Sequence, residues 1–383
     1  MRILFDALIA TEKPFGYVSV IAEYLNRMNR YLQAKGTRDI EFVVVCQQRA
    51  LDQIDPRSEL ANSGRFVIKA VPNLKNVLIR AIYEQVMVNL LALRHRCDVI
   101  HMPASLGLVW ALRKQVLFFH ATTTFMLERR MHGRGRIPTA LHNLVIEMST
   151  KHADVLAIST ETTARELFSH FGFERPYHVI GEGIKDFADV CGHSSDGIVA
   201  SLSGRKFLLF TSSFYELKNQ KLLIDLFNQR VDGKLLLVLV GSGIQRDYFN
   251  QCLAAKGENV LILEDVDDPT LRWLYENAAL YISPSLFEGF SMTPLESLLC
   301  NRPILLSDIP VHREVYGAGF HYFNPREVRG LKEIVEESLS QEYRNKCLAL
   351  RSGLLEKYSW PGFLEKNLEL YRQALGARGS GDR

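Results

Sequence analysis

The sequence predicts an α/β fold with two domains, each built on a parallel β-sheet that is covered by helices. Three observations support this prediction. Short apolar runs that suit buried parallel strands alternate with amphipathic helical stretches along the chain. At 383 residues the chain is long enough for two domains of ordinary size. A stretch rich in Gly and Ser at 186–205, with little periodicity, separates the two halves and is predicted to be a linker.

Composition and charge exclude several classes of protein. Hydrophobic residues make up 47% and charged residues 23% of the chain, as in soluble globular proteins. The formal net charge of +3 is too small by itself to indicate a partner nucleic acid. No apolar run reaches the ~18 residues that a membrane-spanning helix needs, and the N-terminus does not read as a signal peptide. We therefore expect a cytoplasmic protein, with any membrane association peripheral.

The six cysteines are scattered through the sequence. They form no C-x-x-C pair, and no His/Cys spacing suits zinc. We expect reduced, buried thiols, as in cytosolic proteins.

The first domain is predicted over residues 1–188. Its strand patterns alternate with helical stretches near 18–30 and 74–92, which is typical of a parallel sheet with helices on both faces. The strand patterns lie at 3–5, 41–46, 65–70, 98–101 and 116–119. His120 follows the last of these strands, so we expect it at the carboxyl edge of the sheet, where α/β folds bind ligands.

The most basic stretch of the chain is 128–136, with four arginines and one histidine against one glutamate. The arginines are Arg129, Arg130, Arg134 and Arg136. Apolar residues such as Phe125 and Ile137 flank this stretch. Basic and apolar residues together suit docking at an anionic membrane surface or recognition of a phosphate. An ordinary solvated loop remains the alternative.

The second domain is predicted over residues 206–360, followed by an amphipathic helix at 361–375. Its strand patterns lie at 207–210, 235–240, 259–264, 278–282 and 303–306. Asp268 before Pro269 predicts an N-cap and a first-turn proline. We therefore do not interpret the adjacent Asp265-x-Asp267 as a metal-binding pair, and we expect no catalytic metal.

The stretch 283–296 joins a buried strand to a helix. Thr293 before Pro294 predicts the N-cap of that helix. A polar loop that ends on a helix N-terminus at the carboxyl edge of a parallel sheet is a place where phosphates bind. Two carboxylates, Glu288 and Glu296, bracket this loop with seven residues between them.

These residues resemble the retaining glycosyltransferases of family 4, the glycosyl transferases group 1, which have the GT-B fold. Glu288 and Glu296 match the Glu-x7-Glu motif of that family. The runs PSLFEGFS at 284–291 and PILLS at 303–307 match the family's sequence pattern around this motif. The resemblance is specific from about Phe207 onward. It implies two Rossmann-like domains that face each other across a cleft, with the C-terminal helix crossing back to the first domain.

The resemblance also implies which residues bind the donor. Lys218 matches a family lysine that holds the donor diphosphate, while Ser213 stands where an arginine is common. Glu288 is implied to contact sugar hydroxyls and Glu296 the ribose hydroxyls. The other implied donor-binding residues are Gly16, Asn219, Gly289, Phe290, Ser291 and Met292.

His120 is similar to a histidine in the family's cleft that Asp usually follows. Ala121 stands there instead, which leaves the partner of His120 unidentified. Glu182 is a second departure, since Asn is common at its position. The imidazole of His120 is implied to donate to the sugar or phosphate, or to assist the acceptor hydroxyl. A purely structural histidine remains the alternative.

Taken together, the resemblance implies a metal-independent, retaining glycosyltransferase with Glu288, His120 and Lys218 at its catalytic centre. It would move a hexose-type sugar, mannose among the candidates, from a GDP-, UDP- or dTDP-linked donor to a saccharide or lipid-linked acceptor, without a further cofactor. We expect a role in bacterial cell-surface polysaccharide or lipopolysaccharide synthesis, possible attachment to the inner face of the cytoplasmic membrane, and no nucleic-acid partner. The alternatives are an epimerase or phosphorylase of the same fold, and a non-catalytic subunit that binds sugar nucleotides for a partner transferase.

Overall fold

A computed structural model of the chain describes residues 1–9, 17–55, 58–74, 77–120, 139–185, 187, 190, 194–229 and 234–376. These residues fold into two units. The first unit holds Met1–Gly183 and the chain from Ser359 onward, and the second holds Ile184–Tyr358. Each unit is built on its own parallel sheet, which confirms the predicted α/β class.

Within the described residues, the first unit has a seven-stranded sheet of order β3-β2-β1-β4-β5-β6-β7. All neighbouring strands are parallel. The strands are β1 (Arg2–Ala7), β2 (Glu41–Gln47), β3 (Phe66–Val71), β4 (Val99–Met102), β5 (Lys114–Phe119), β6 (Val155–Ile158) and β7 (His178–Val179). Strand order reverses between β1 and β4, so the carboxyl ends of these two strands form the switch point at which such sheets bind ligands.

The helices of the first unit connect these strands. They are Tyr17–Ala34, Leu51–Ile54, Glu59–Asn62, Val77–Arg94, Thr139–His152, Glu161–Phe171 and Trp360–Ala374, and a 3₁₀ helix spans Gln48–Ala50. Local sequence accounts for both ends of one of them. Thr160 caps the helix Glu161–Phe171 by accepting a hydrogen bond from the Thr163 N–H at 3.1 Å, and Gly172 ends it in the left-handed conformation that glycine adopts without strain.

The C-terminal helix Trp360–Ala374 packs in the core of the first unit. We predicted a helix at 361–375. The hydroxyl of Tyr371 lies 2.8 Å from that of Tyr24 and also hydrogen-bonds His101. A Cβ atom at Gly183 would lie 2.6 Å from the ring of Trp360, so only glycine leaves room for that ring.

The second unit has a six-stranded parallel sheet, again counted over the residues the structure describes, of order β10-β9-β8-β11-β12-β13. The strands are β8 (Lys206–Thr211), β9 (Leu235–Val240), β10 (Val260–Leu263), β11 (Leu280–Ser283), β12 (Ile304–Ser307) and β13 (His321–Phe323). The order reverses between β8 and β11. Every residue of β9 is buried, as expected for a strand covered on both faces.

The helices of the second unit fill the connections between its strands. They are Asp196–Leu202, Gln220–Asn228, Arg246–Ala255, Asp268–Asn277, Thr293–Leu299, Pro310–Tyr316, Leu331–Ser338 and Gln341–Lys357, and a 3₁₀ helix spans Glu216–Lys218.

The division between the units differs from the predicted bounds of 1–188 and 206–360. The chain enters the second unit after Gly183, because Ile184 and Phe187 are buried in the second core. The predicted linker 186–205 also contains the helix Asp196–Leu202, whose Leu202 is buried in the same core. The boundary between the units therefore follows from the burial of single apolar side chains in the second core. Sequence periodicity gives no information on such burial.

The described cysteines are all free, as predicted. Four of them are buried and Cys300 is partly exposed; the buried ones are Cys46, Cys97, Cys252 and Cys347. Cys191 lies outside the described residues.

Candidate functional site

The candidate site of the second unit lies at the carboxyl ends of β8 and β11, on either side of its switch point. Lys218 stands on the 3₁₀ helix Glu216–Lys218 after β8, and Glu288 stands in the loop after β11. The Lys218 ammonium group donates to both carboxylate oxygens of Glu288, at 2.6 and 2.7 Å. Their side chains are only 13% and 10% exposed. Two residues that the sequence singled out separately thus form one nearly buried ion pair.

Neighbouring groups hold this ion pair in place. The Ser285 hydroxyl donates to Glu288 Oε1 at 2.7 Å, and Lys218 Nζ lies 5.6 Å from the centre of the Tyr215 ring. Burial lowers the pKa of Lys218, but the Glu288 carboxylate and the Tyr215 hydroxyl raise this pKa by more, and the result lies above the ordinary value. Lys218 is therefore charged at neutral pH. The pair has no net charge, so Lys218 can offer its full charge to an anion only if it gives up a bond to Glu288.

Asn219 connects three loops around the pair. It adopts a left-handed conformation (φ 56°), which asparagine tolerates better than most residues. Its amide donates to the carbonyl oxygens of Pro284 at 3.2 Å and Pro325 at 2.8 Å. Asn219 therefore positions the loops that carry Lys218 and Glu288. Its predicted contact with a donor stays a prediction.

Ser213 lies beside the loop that follows β9. Its hydroxyl is 3.3 Å from that of Ser242. Gly241 permits this approach, because a Cβ atom there would lie 2.0 Å from the carbonyl oxygen of Ser212. Ser213 thus brings a hydroxyl group, and no charge, to the position where the family resemblance leads one to expect arginine.

Glu296 is held by a second, separate set of contacts. It is buried on the helix Thr293–Leu299, and its Oε2 accepts a hydrogen bond from the Tyr275 hydroxyl at 2.7 Å. The Tyr275 hydroxyl in turn lies 2.6 Å from Thr211 Oγ1 at the end of β8. Burial and the charge of Glu296 hold the pKa of Tyr275 well above its ordinary value, so this phenol keeps its proton.

The start of the helix Thr293–Leu299 differs from the prediction. Met292, not Thr293, occupies the N-cap position, and the Thr293 hydroxyl accepts from Tyr281 at 2.6 Å because that phenol points at it from β11. The N–H groups of Leu295 and Glu296 bond back to the Met292 carbonyl at 2.9 and 3.1 Å, and Pro294 has none. Phosphate binding here stays a prediction, and it would depend on the preceding loop 289–292.

A similar correction applies to the helix Asp268–Asn277. Asp267, one residue before the predicted position, is its N-cap: Oδ1 accepts from the Thr270 N–H at 2.9 Å. Asp265 adopts a left-handed conformation (φ 52°). Among the described residues, no three His, Cys, Asp or Glu side chains gather where they could hold a metal ion. That catalysis needs no metal stays a prediction.

The sequence analysis missed a buried pair between Ser291 and His312. Nδ1 of His312 lies 2.8 Å from the Ser307 carbonyl oxygen, which can only accept, so Nδ1 carries the proton. Burial lowers the pKa of His312 to about 4, and the neutral ring therefore accepts from the Ser291 hydroxyl through Nε2, at 3.0 Å. Ser291 is itself in the left-handed region (φ 72°). The available signal was that helix periodicity places His312 on the same buried face as Val315.

In the first unit the structure identifies a partner for His120. Its Nδ1 lies 3.0 Å from Glu182 Oε1 and its Nε2 lies 2.5 Å from the Pro103 carbonyl oxygen. Both ring nitrogens thus face acceptor atoms, and these two contacts fix the orientation of the ring. Glu182 supplies the carboxylate that Ala121 cannot, so the two departures from the family pattern are linked. A catalytic role for His120 stays a prediction.

A buried pair of carboxylates lies near the same edge. Asp6 ends β1 and accepts from the Leu8 N–H at 2.9 Å. Burial raises the pKa of Asp6 to about 6. Burial and the charge of Asp6 raise the pKa of Glu84 to about 8, and Arg80 opposes both shifts. Near neutral pH this pair of carboxyl groups therefore keeps one proton, mainly on Glu84, whereas two ordinary carboxyl groups would both be ionised. The sequence analysis did not single out either residue.

Several predicted site residues lie outside the described residues, and their roles stay predictions. They are Gly16, Arg129, Arg130, Arg134 and Arg136. None of the helices that the structure describes is both long and apolar enough to cross a membrane.

Two family models match this chain. Residues 196–351 match the family model described as glycosyl transferases group 1, and residues 21–186 match the one described as Glycosyltransferase Family 4. The chain belongs to these glycosyltransferases. The resemblance stated from the sequence is therefore confirmed.

Curated relatives match over part of the chain. An uncharacterized glycosyltransferase of Methanocaldococcus jannaschii is 27% identical over 37% of this chain and 38% of its own length. An O-antigen chain mannosyltransferase of Salmonella typhimurium is 34% identical over 21% of this chain and 22% of its own. A serotype-specific mannosyltransferase of Escherichia coli is 34% identical over 28% of this chain and 13% of its own. The matches thus span less than two fifths of each relative.

Solved structures match nearly the whole glycosyltransferase chain. A glycosyltransferase from Rickettsia africae has a TM-score of 0.68 at 14% identity and covers 98% of this chain and 99% of its own. HepE of Anabaena, in complex with UDP-glucose, has a TM-score of 0.69 at 15% identity, with 99% and 100% covered. Sucrose-phosphate synthase from Thermosynechococcus elongatus has 0.70 at 13%, also with 99% and 100% covered. These likenesses confirm the GT-B fold.

Proposed function

We propose that this glycosyltransferase is metal-independent and retaining, and that it moves a hexose-type sugar from a nucleotide-diphosphate donor to a saccharide or lipid-linked acceptor. The buried Lys218–Glu288 pair carries the proposal, because it joins the two motif residues expected to meet the diphosphate and the sugar. The names of the Salmonella and Escherichia relatives favour mannosyl transfer in bacterial cell-surface polysaccharide synthesis. We further propose a cytoplasmic protein that associates peripherally with the membrane, through the basic stretch 128–136.

Donor binding would rearrange the ion pair. The diphosphate offers the Lys218 ammonium group new acceptors, which releases one Glu288 oxygen to accept from a sugar hydroxyl. When the bond between the anomeric carbon and the phosphate oxygen breaks, negative charge grows on the diphosphate, and a pre-positioned ammonium group stabilises it. Glu296, held by Tyr275, is proposed to accept from the ribose hydroxyls. Carboxylate contacts of this kind discriminate strongly against a donor that lacks the hydroxyl.

The first unit is proposed to bind the acceptor, with His120 at the carboxyl end of β5. In the imidazolium form His120 can donate to an anionic group through Nε2 once it gives up its bond to the Pro103 carbonyl. Glu182 would then keep the ring oriented.

A non-catalytic subunit that binds sugar nucleotides is the second candidate. The observation that favours it is Ser213, which supplies a hydroxyl where an arginine would supply a charged fork for the diphosphate.

The test is hydrolysis and binding of GDP-, UDP- and dTDP-linked sugars with EDTA present, for the wild type, Lys218→Met and Glu288→Gln. We expect one donor to be hydrolysed slowly without metal, with the anomeric configuration retained in the released sugar before it equilibrates. We expect both variants to lose about 100-fold or more of that rate. Lys221→Met is the matched control, since Lys221 forms only an exposed pair with Asp225 on the helix that follows.

Other results would contradict the proposal in separate ways. Loss of activity in EDTA with recovery in Mg²⁺ would refute metal independence. Donor binding without turnover, in every acceptor mixture, would favour the subunit. Activity that survives both variants would show that the ion pair is not the site.

A further inference from the structure

The helix Val77–Arg94 buries Val88 and Ala92 in the core of the first unit, but unlike an ordinary surface helix it carries a second apolar stripe on its outer side. Its large apolar side chains follow one another at intervals of three or four residues, so they lie on one face, and that face is exposed. The exposed fractions are 55% for Ile79, 66% for Ile82, 51% for Val86, 49% for Leu90 and 39% for Leu93. Scattered exposed apolar residues need no explanation, but a continuous stripe marks an interaction site.

The polar side chains of this helix point into the first unit and fix its orientation. The Asn89 amide donates to the Trp110 carbonyl at 2.9 Å and accepts from the Leu112 N–H at 2.7 Å. Gln85 accepts from the Val109 N–H at 2.8 Å. Turning the stripe inward would break these hydrogen bonds and leave the backbone groups unsatisfied. The exposure of the stripe is therefore built into the packing of the helix.

The segment that Gln85 and Asn89 hold against the helix extends the apolar surface. Trp110 is 82% exposed and Leu112 is 54% exposed. We define the apolar face as the five stripe residues together with Trp110 and Leu112. An indole ring at the border of an aliphatic surface is typical of proteins that lie at a membrane–water interface.

The charges next to the apolar face are mainly basic. The helix contains a single acidic residue, Glu84, which is buried, and the stretch 104–114 contains none. The exposed charges that follow the face along the chain are one acidic residue, Asp98, and four basic ones, Arg94, Arg96, Arg113 and Lys114. An apolar surface with an arginine border complements a bilayer of anionic lipids, whose surface potential attracts such residues.

We infer that the apolar face docks on a bilayer with anionic headgroups, with the helix Val77–Arg94 lying in the plane of the interface. At 1.5 Å per residue this helix is about 27 Å long. The inference deepens the peripheral membrane association proposed above. It rests on the proposed function in one respect, namely that the acceptor is lipid-linked and so lies at the membrane. It adds the apolar face, as a second docking surface, to the basic stretch 128–136.

The test is flotation of the full chain with vesicles, with no sugar nucleotide present. Vesicles of phosphatidylcholine alone are compared with vesicles that also contain phosphatidylglycerol. We expect tighter binding to the anionic vesicles, and we expect Leu90→Glu to weaken it at least about tenfold, because a charge replaces a leucine that would enter the bilayer. Leu253→Glu is the matched control, since Leu253 is 39% exposed on the helix Arg246–Ala255 of the second unit. Its binding should equal that of the wild type.

Trp110 provides a direct reporter of docking. The chain has three tryptophans, of which Trp360 is 6% exposed and Trp273 is half-buried. We expect a blue shift of the emission on adding anionic vesicles, and Trp110→Phe should abolish the shift while leaving flotation measurable. If Trp110→Phe leaves the shift unchanged, the apolar face does not enter the bilayer.

Three results would overturn the inference. Leu90→Glu and Leu253→Glu could bind vesicles equally, or wild-type chain could show no binding to either vesicle. Leu90→Glu could instead lower the molecular mass in lipid-free solution, which would make the apolar face an interface between copies. Leu90→Gln serves as a second variant if Leu90→Glu does not fold. Donor hydrolysis by the same samples without vesicles keeps a failure of docking distinct from a failure of the proposed transfer.

Discussion

The carboxyl edges of the two sheets each carry a buried charge pair, but the pairs differ in kind. In the second unit the Lys218 ammonium group meets Glu288, and its raised pKa keeps it charged. In the first unit the His120 imidazole meets Glu182, and an imidazole, unlike an ammonium group, also has a neutral form that donates one hydrogen bond and accepts another. The comparison teaches that the fold determines where such a pair forms, whereas the residue type determines whether its charge can change.

Each edge also holds a histidine through a serine in the left-handed conformation. In the second unit Ser291 (φ 72°) donates to the ring of His312. In the first unit Ser105 (φ 61°) accepts from the His120 backbone N–H at 3.0 Å. The serine contacts the ring of the histidine in the second unit and its backbone in the first unit. Only the contact in the second unit therefore depends on the protonation of the ring.

The largest expected effect tests the difference between the two ion pairs. Glu288→Ala leaves a buried ammonium group without its partner and should lower the free energy of unfolding by about 3–5 kcal/mol. Glu182→Ala should cost less, about 1–3 kcal/mol, because the neutral form of an imidazole leaves no buried charge without a partner. Amide hydrogen exchange, read separately in peptides from each unit, measures both losses without assuming that the whole chain unfolds in one step.

The control for this comparison is Asp225→Ala, which removes the partner of the exposed Lys221 and should change stability by at most about 1 kcal/mol. Equal losses for Glu288→Ala and Glu182→Ala would mean that both pairs depend on a permanent charge, and the distinction drawn between the edges would fail.

An intermediate effect concerns the acid stability of the second unit. The folded state holds the pKa of His312 at about 4, against an ordinary value of about 6.5. Between these values the unfolded state binds a proton that the folded state does not. The contribution of His312 is therefore fully present above pH 6.5 and is lost as the pH falls to 4, by about 3 kcal/mol in all.

The measurement is the stability of the second unit from pH 7.5 to 4, for the wild type and for His312→Gln. Other groups titrate in both proteins, so the difference between the two curves isolates His312. We expect the wild type to lose more stability than His312→Gln on acidification. Parallel curves would show that His312 takes up its proton as readily in the folded state as in the unfolded state.

The smallest expected effect concerns the backbone strain at the two serines with positive φ angles. Ser291→Ala and Ser105→Ala both lose a hydrogen bond and keep a side chain in a conformation that costs about 1–2 kcal/mol. The glycine variants lose the same bond but relieve that strain, so each should be about 1 kcal/mol more stable than its alanine counterpart. Urea unfolding of the four variants measures this. If the alanine and glycine variants unfold alike, the positive φ angles carry no strain.

The candidate site of the second unit was largely predictable from the sequence. The stretch 283–296 is contiguous, and its two glutamates, its glycine and its two prolines are read directly from the chain. Lys218 was also identified, because it matches a lysine of the family in the loop after an earlier strand. Its ion pair with Glu288 was not predicted, since 70 residues separate them and no spacing reports that contact. The N-caps at Met292 and Asp267 were each missed by one residue.

What the sequence by itself determined is the alternation of strands and helices, the parallel sheets, and the local motif that carries Glu288 and Glu296. These follow from short-range periodicity and from residues close together in the chain. Only the tertiary structure decided that Glu182 pairs with His120, 62 residues away, and that Ser291 pairs with His312.

Tertiary structure also decided which side of the helix Val77–Arg94 faces outward. The sequence predicted a helix near 74–92, and an apolar stripe read alone would have been turned toward the core. In the structure, the buried Val88 and Ala92 and the hydrogen bonds of Gln85 and Asn89 hold the opposite face of the helix against the first unit. Periodicity shows that the helix has two faces, but it does not show which face packs against the rest of the unit. That depends on hydrogen-bond partners for the polar side chains, and these partners come from a separate part of the sequence.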